Sequence, residues 1–171
     1  MLNNLYFKMM NSRYNSLIEK LSEIQNGTEF YENDEHDVTN FWINLITNSN
    51  LNPYFYDFIS HNITKDECNA KNEKGISPFI HAINLNLNNN LISILIQNGA
   101  DYNQLCSDSI PVIYHSKSFR VFQFLYGNGA EIKLRKDHNV KIHSLILESS
   151  DLNLKDKINI YQLIIVNRTL I

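Results

Sequence analysis

Residues 75 to 83 read Gly-Ile-Ser-Pro-Phe-Ile-His-Ala-Ile, and residues 91 to 103 read Leu-Ile-Ser-Ile-Leu-Ile-Gln-Asn-Gly-Ala-Asp-Tyr-Asn. This stretch decides the fold, because its local signals all predict the same short unit. Ser77 is a suitable N-cap, and Pro78 falls at the first helical position, where its missing N–H costs nothing. Gly99 is typical of the left-handed position that follows a helix. The stretch therefore predicts two short helices joined by a turn and followed by a second turn.

The apolar residues of this stretch indicate how the two helices pack. Phe79, Ala82 and Ile83 recur at helical spacing and give the first helix one apolar stripe. The second helix, over residues 91–96, is apolar on most sides, which is typical of a helix buried on both faces. Residues 85–90 are polar and rich in asparagine, and they predict the turn between the helices. A helix pair of this kind needs neighbours on both sides.

The same residues resemble one ankyrin repeat, whose pattern runs Gly-x-Thr-Pro-Leu-His-x-Ala, then a second helix, then Gly-Ala-Asp-x-Asn. The histidine of that pattern is replaced by Ile80. The resemblance implies an all-α fold, an ankyrin-type helical solenoid of about three to four degenerate repeats with a helical N-terminal cap. The positions that match the pattern or substitute conservatively are Gly75, Ser77, Pro78, Phe79, Ala82, Gly99, Ala100, Asp101 and Asn103.

The resemblance also divides the chain into an N-terminal helical cap and linker, residues 1–36, and a repeat domain, residues 37–171. The third repeat is short, because Gly99 and Gly129 are 30 residues apart against about 33 in the family. We expect the shortfall in its first helix or turn, around residues 114–118. The approximate repeats are 37–72, 73–105, 106–135 and 136–171. Further helices are expected over residues 2–24, 38–47, 52–61 and 158–166.

Length, composition and charge limit the classes of function. A chain of 171 residues is one domain, large enough to bury a hydrophobic core. The net charge of −3 does not indicate a nucleic-acid binder. No apolar run approaches the ~18 residues of a membrane span, and no signal segment is seen at the N-terminus. We therefore expect a monomeric, intracellular and cytoplasmic protein without a cofactor, a nucleic-acid partner or a membrane partner.

Asparagine is the outlier of the composition, with 26 of 171 residues. Its codons are AT-rich, as are those of isoleucine and lysine, which indicates a genome with a strong AT bias. Such genomes occur in large DNA viruses, intracellular bacteria and AT-rich protists or fungi; for a viral or bacterial effector the expected location is the host cytoplasm or nucleus. Loops accept sequence change easily, so our interpretation of residues 84–90 is drift in a tolerant loop.

Enzymatic or metal-binding alternatives rest on Cys68, Cys106, His81 and His115. Two cysteines and two histidines at similar places in successive units are enough in number for a zinc site. A cysteine beside a histidine is also the pattern of a thiol nucleophile. The sequence has no flanking Gly-rich turn or orienting residue pattern around either cysteine, and small core or turn residues are the simpler interpretation. We therefore expect no catalytic residues, no metal ligands and no enzyme.

A partner surface follows from the resemblance, because ankyrin-like stacks use their turn tips and first helices as a concave binding face. Exposed aromatic side chains make good anchors for a partner, so Tyr102 and Tyr114 are the preferred contacts. Packing between adjacent turns is the alternative for Tyr102. The full set of predicted protein-binding residues is Asn72, Glu73, Lys74, His81, Asn84, Tyr102, Gln104, Tyr114, His115 and Lys136.

The predicted function is an intracellular protein–protein interaction module that binds a partner protein, such as a host or regulatory protein, by its concave face. One alternative is a degenerate structural paralogue that retains little binding. The other is the Cys/His-dependent enzyme or metal site described above.

Overall fold

The computed structural model describes residues 2–25, 37–49, 54–87, 89–132 and 139–168. Within these ranges the chain is helical and has no β-strand, which confirms the prediction of an all-α fold. None of the described helices is both long enough and apolar enough to cross a membrane. The helices in chain order are α1 (Leu2–Gln25), α2 (Val38–Ser49), α3 (Tyr54–Asn62), α4 (Lys65–Asn69), α5 (Pro78–Asn84), α6 (Asn89–Gln97), a 3₁₀ helix (Val112–His115), α7 (Phe119–Gly127), α8 (Asn139–Glu148) and α9 (Leu154–Arg168).

Contacts between helices arrange them in two rows. In the first row α2 packs against α5, α5 against the 3₁₀ helix, and the 3₁₀ helix against α8. In the second row α3 packs against α6, and α7 packs against α9. Helix α1 lies against α2 at the beginning of the first row. A single cluster of buried apolar side chains, which includes Trp42, Phe79, Phe122 and Ile160, joins the two rows.

The central pair, α5 and α6, forms as the sequence predicts. The Ser77 oxygen accepts a hydrogen bond of 3.2 Å from the backbone N–H of Ile80, and Pro78 follows at the first helical position. Gly99, just after α6, has a φ of +92°, a backbone conformation that glycine adopts without Cβ strain. The turn between the two helices is shorter than the predicted range of 85–90, because α6 already begins at Asn89.

Helices α6 and α7 end with the same hydrogen bonds. The Ala100 N–H donates to the Leu95 carbonyl at 2.9 Å, and the Ala130 N–H donates to the Leu125 carbonyl at 3.0 Å. The preceding residue is a glycine with positive φ in both cases, +92° before Ala100 and +101° before Ala130. These two helix ends, or exits, are 30 residues apart in the chain. Their similar sequences therefore adopt the same backbone geometry.

Two turn tips also share one geometry. The Asn72 N–H donates to the Ile76 carbonyl at 3.1 Å, and the Cys106 N–H donates to the Ile110 carbonyl at 2.8 Å. The residue before the acceptor has a positive φ in each tip: Gly75 at 73° in the first and Ser109 at 65° in the second. These tips are 34 residues apart in the chain. The described part of the chain therefore repeats a backbone pattern at two independent places.

Asparagine side chains connect successive helix pairs. Asn69 Oδ1 accepts the Asp101 N–H at 2.8 Å, and Asn103 Oδ1 accepts the Glu131 N–H at 2.8 Å. Asn86, in the stretch that we interpreted as a tolerant loop, accepts a hydrogen bond of 2.9 Å from the Ser118 hydroxyl. Part of the asparagine content therefore has a structural use, because these side chains satisfy polar groups of the neighbouring pair.

Helix α4 is absent from the sequence prediction. A capping box begins it: Thr64 accepts the Glu67 N–H at 3.3 Å, and the Glu67 carboxylate accepts the Thr64 N–H at 2.8 Å. The Thr-x-x-Glu spacing was the available signal for this helix. Arg13 of α1 donates to both oxygens of Glu67, at 2.7 and 3.1 Å, and also to the Asn62 carbonyl. These hydrogen bonds attach the N-terminal helix to α4 and to the end of α3.

Candidate functional site

The candidate site is a groove beside the 3₁₀ helix of the first row. The four residues of this helix span ~8 Å, whereas the ten residues of its neighbour α8 span ~15 Å. This short helix lies where the sequence analysis expected a truncated helix or turn, around residues 114–118. The groove is lined by this helix together with the end of α5 and by α8.

The groove has a volume of about 640 Å³ and draws on four parts of the chain. These are the end of α5, the tip after residue 107, the segment around the 3₁₀ helix, and α8 with the loop that follows it. Most of the lining side chains are polar. The lining residues are Asn84, Asp108, Ile110, Tyr114, His115, Ser116, Lys117, Ser144, Leu145, Glu148, Ser149, Ser150, Asp151 and Leu152.

Two basic side chains of the groove each lie close to a carboxylate. His115 Nε2 is 3.2 Å from Asp108 Oδ2, an ion-pair distance without hydrogen-bond geometry. The other oxygen of Asp108 accepts the Ile110 N–H at 3.0 Å, which holds the carboxylate in place. Lys117 Nζ is 3.2 Å from Asp151 Oδ2, and both side chains are partly exposed. Exposed pairs of this kind contribute little to stability, so their arrangement matters more for what the groove attracts.

Ser116 is the unusual residue of the groove. It is only 4 % exposed, and its hydroxyl has no hydrogen-bond partner among the described residues. A buried hydroxyl without a partner is unfavourable by about 1–3 kcal/mol. The indole nitrogen of Trp42 is also buried without a partner, but Trp42 does not line the groove. Ser116 thus places a polar group that the fold leaves unsatisfied at the wall of the groove.

The structure brings three of the predicted binding residues to this groove: Asn84, Tyr114 and His115. The prediction that Tyr114 is an exposed anchor is wrong, because the residue is 3 % exposed. Its ring packs against Phe122 with centroids 6.1 Å apart. The physical reason is that the 3₁₀ helix is enclosed by α5, α7 and α8, so its side chains have little access to solvent.

Gln104 was also predicted as a surface contact, and it is only 7 % exposed. Its side-chain Nε2 donates to Asn69 Oδ1 at 2.7 Å, and its Oε1 accepts the Ser77 hydroxyl at 2.7 Å. The prediction of an accessible side chain at this position is therefore wrong. Gln104 instead satisfies polar groups of the preceding helix pair.

The remaining predicted contacts lie outside the groove. Glu73 and Lys74 are exposed at the first tip. Asn72 is half-buried, and its Oδ1 accepts the backbone N–H groups of Lys74 and Ile76. Lys136 lies outside the described residues.

His81 and Tyr102 are both half-buried. His81 Nε2 lies 2.8 Å from the Thr47 hydroxyl and so connects α5 with α2; burial lowers the pKa of its imidazole. A Cβ atom added to Gly129 would lie 3.2 Å from the Tyr102 hydroxyl oxygen. Tyr102 therefore packs against the neighbouring turn, which was the alternative for this residue.

The two thiols are poorly suited to nucleophilic chemistry. Cys68 and Cys106 are free and buried. Burial first, and then the charge of a neighbouring carboxylate, raises the pKa of each thiol to about 12. A thiol with such a pKa stays protonated at neutral pH, whereas the nucleophile is the thiolate. Among the described residues, no group of three His, Cys, Asp or Glu side chains is placed to hold a metal ion.

Sequence reasoning missed Ser116, Lys117, Glu148 and Asp151 as groove residues. A short helix or turn around residues 114–118 was predicted, but the contribution of α8 and its following loop depends on residues more than 25 positions away in the chain. No local pattern carries that information. Comparison with known protein families and with curated protein sequences finds no match to this chain.

Proposed function

We propose that this chain is an ankyrin-type repeat module that binds a partner protein through the face containing the groove. The observation that carries the proposal is the groove itself, with the buried and unpartnered hydroxyl of Ser116 among its lining residues. Such concave sites with a few polar groups are the usual places for specific binding.

Repetition of the backbone supports the ankyrin-type assignment. The exits after α6 and α7 share their hydrogen bonds, and the tips that begin at Asn72 and Cys106 share theirs. Spacings of 30 and 34 residues between these features agree with the ~33 residues of the family. A repeat stack buries its apolar faces between neighbouring units and leaves the inner face available for partners.

Binding rather than catalysis is supported by the chemistry of the side chains. The two thiols are buried with raised pKa values, and the groove carries no nucleophile held beside a base. The His115–Asp108 pair lies beside Ser116, but the Ser116 hydroxyl makes no hydrogen bond to this histidine. Nucleophile activation requires that contact. The proposed mode of action is therefore stoichiometric binding.

Site-specific photo-crosslinking in the cell that produces the protein tests this proposal. A photoreactive amino acid is placed at Ser150, an exposed residue on the groove, and in a matched variant at Gln123, on the exposed side of α7. We expect a discrete cross-linked protein from position 150 and none from position 123. Cross-linking from position 123 alone, or from neither position, would contradict the proposal.

A degenerate paralogue with little retained binding predicts a different outcome in a simpler experiment. A functional module unfolds cooperatively in urea, with coincident transitions by circular dichroism and fluorescence. A relic with a loosened core gives broad, non-coincident transitions. We expect the cooperative result, because one cluster of buried side chains joins both rows of helices.

A further inference from the structure

The charges of the groove favour a cationic ligand. Its lining contains three carboxylates, on Asp108, Glu148 and Asp151, against one lysine and one histidine. The groove is therefore net negative whether or not His115 is protonated. A phosphate group or an acidic peptide would be repelled by this field, whereas a cation would be attracted.

Glu148 is the carboxylate left over after the internal pairs are made. Lys117 lies beside Asp151, and His115 lies beside Asp108. Glu148 is exposed and forms no ion pair with any residue in the described part of the chain. An incoming cation can bind this carboxylate without displacing an existing partner.

The Ser116 hydroxyl is the second, independent observation. An internal ion-pair network would explain the acidic side chains alone, but it does not explain a buried hydroxyl that lacks a partner. Buried polar groups in folded proteins almost always have one, from the protein, from water or from a ligand. Since Ser116 lines the same groove as Glu148, a ligand with several N–H donors would satisfy both.

We propose that the groove binds an arginine side chain carried by the partner protein, with Glu148 and the Ser116 hydroxyl as its acceptors. This inference rests on the proposed function and names the chemistry of the partner at that site. The guanidinium is the best match among cationic side chains, because it carries five N–H donors in a rigid planar fork. Lysine presents a compact point charge that suits one strong acceptor better than two.

A titration of the ¹⁵N-labelled full chain with short peptides tests the inference. The probe is the capped pentapeptide acetyl-Gly-Ser-Arg-Ser-Gly-amide, and the matched probes carry norleucine or glutamate in place of arginine. We expect the arginine peptide, at roughly millimolar concentration, to shift the amides of residues 115–117 and 148–151 in a saturable way. The norleucine and glutamate peptides are expected to leave these amides unshifted.

Three variants assign the acceptors. Glu148→Gln and Ser116→Ala are each expected to weaken binding of the arginine peptide about tenfold, the loss that one charge-assisted hydrogen bond accounts for. Glu19→Gln makes the same chemical change as Glu148→Gln at an exposed position of α1 and is expected to leave affinity unchanged. The amide spectrum of each free variant verifies that the fold is retained.

Absence of saturable shifts in the groove, equal shifts from the arginine and glutamate peptides, or full affinity in Glu148→Gln would each overturn the inference. Its failure is separable from failure of the proposed function. A cross-link from position 150 without any arginine preference leaves partner binding standing and removes only the arginine assignment. An arginine preference without a cross-link leaves the chemistry of the groove standing and removes the partner.

Discussion

Ser77 and Gln104 form a buried hydrogen bond across two helix pairs, with the Ser77 hydroxyl donating to Gln104 Oε1 at 2.7 Å. The same Ser77 oxygen caps α5 by accepting the Ile80 N–H. Ser116 is nearly as buried as Ser77, yet its hydroxyl has no partner among the described residues. The two serines therefore differ: the Ser77 hydroxyl is satisfied within the fold, whereas the Ser116 hydroxyl is the one that we propose a ligand satisfies.

Alanine substitutions at the two serines test this difference. Ser77→Ala removes a cap and leaves Gln104 Oε1 buried without its donor, so we expect a loss of about 1–3 kcal/mol in the free energy of unfolding. Ser116→Ala removes a buried hydroxyl that makes no internal bond, so we expect no loss of stability and a gain of up to about 1–3 kcal/mol. Urea denaturation of both variants measures the difference. Equal destabilisation by the two substitutions would contradict this difference.

Gly99 and Gly127 offer a second matched pair. Gly99 has a φ of +92°, and an added Cβ atom would lie 2.8 Å from Lys65 Cγ. We expect Gly99→Ala to lower the free energy of unfolding by about 1–2 kcal/mol, mostly through backbone strain, since the lysine side chain can move. At Gly127, inside α7, an added Cβ meets no atom within 4 Å.

Gly127→Ala is therefore expected to stabilise the protein by about 0.4–1 kcal/mol. Thermal denaturation should move the melting temperatures of the two variants in opposite directions. Tolerance of alanine at Gly99 would mean that the exit of α6 does not need the left-handed backbone.

Glu67 makes stability depend on pH. Burial raises the pKa of Glu67, but hydrogen bonds from Arg13 and Thr64 and the charge of Arg13 outweigh it, and the pKa lies below its ordinary value of 4.5. The stabilisation by this carboxylate is therefore complete above pH 4.5 and is lost as the pH falls through the lowered, folded-state pKa. Urea denaturation at pH 7 and at pH 3 should give a large difference between wild type and Glu67→Gln at pH 7 and a smaller one at pH 3.

The exposed Glu19→Gln variant serves as the control for this pH series, and we expect it to follow the wild type at both pH values. A difference between wild type and Glu67→Gln that stays constant with pH would show that the carboxylate charge is not the stabilising feature.

Tyr114 is expected to behave as a core residue. Because its ring is 3 % exposed and packs against Phe122, Tyr114→Ala should cost about 3–5 kcal/mol of unfolding free energy. Tyr54, which is 71 % exposed, is the matched control, and its alanine variant should stay within about 0.5 kcal/mol of wild type. A folded Tyr114→Ala variant with normal stability would restore the idea of a surface anchor.

Local signals were enough to predict much of the fold. Ser77, Pro78 and Gly99 each have one physical role that is encoded within a few residues, and the structure uses them in those roles. Helix α4 was missed although Thr64 and Glu67 carry the spacing of a capping box. A helix of five residues is too short to show an apolar periodicity, so its cap is the local signal that remains.

The burial of Tyr114 and the contacts between segments distant in the chain could not be predicted from the sequence. Tyr114 was predicted to be accessible by analogy with the first helices of the family, whereas its 3₁₀ helix is enclosed by α5, α7 and α8. The groove depends on Ser116 and Glu148, which are brought to one place only when α8 packs against the 3₁₀ helix. No periodicity or motif within either segment predicts that these two residues line the same groove.

The central claim is that a partner protein binds at the groove. Hydrogen–deuterium exchange of the chain, alone and in complex with the protein identified by cross-linking, tests it most directly. If the partner binds at the groove, amides in residues 112–117 and 144–152 should exchange more slowly in the complex, and those of α6 and α7 should keep their rates. Protection confined to α6 and α7, with unchanged exchange around Ser116 and Glu148, would contradict the account.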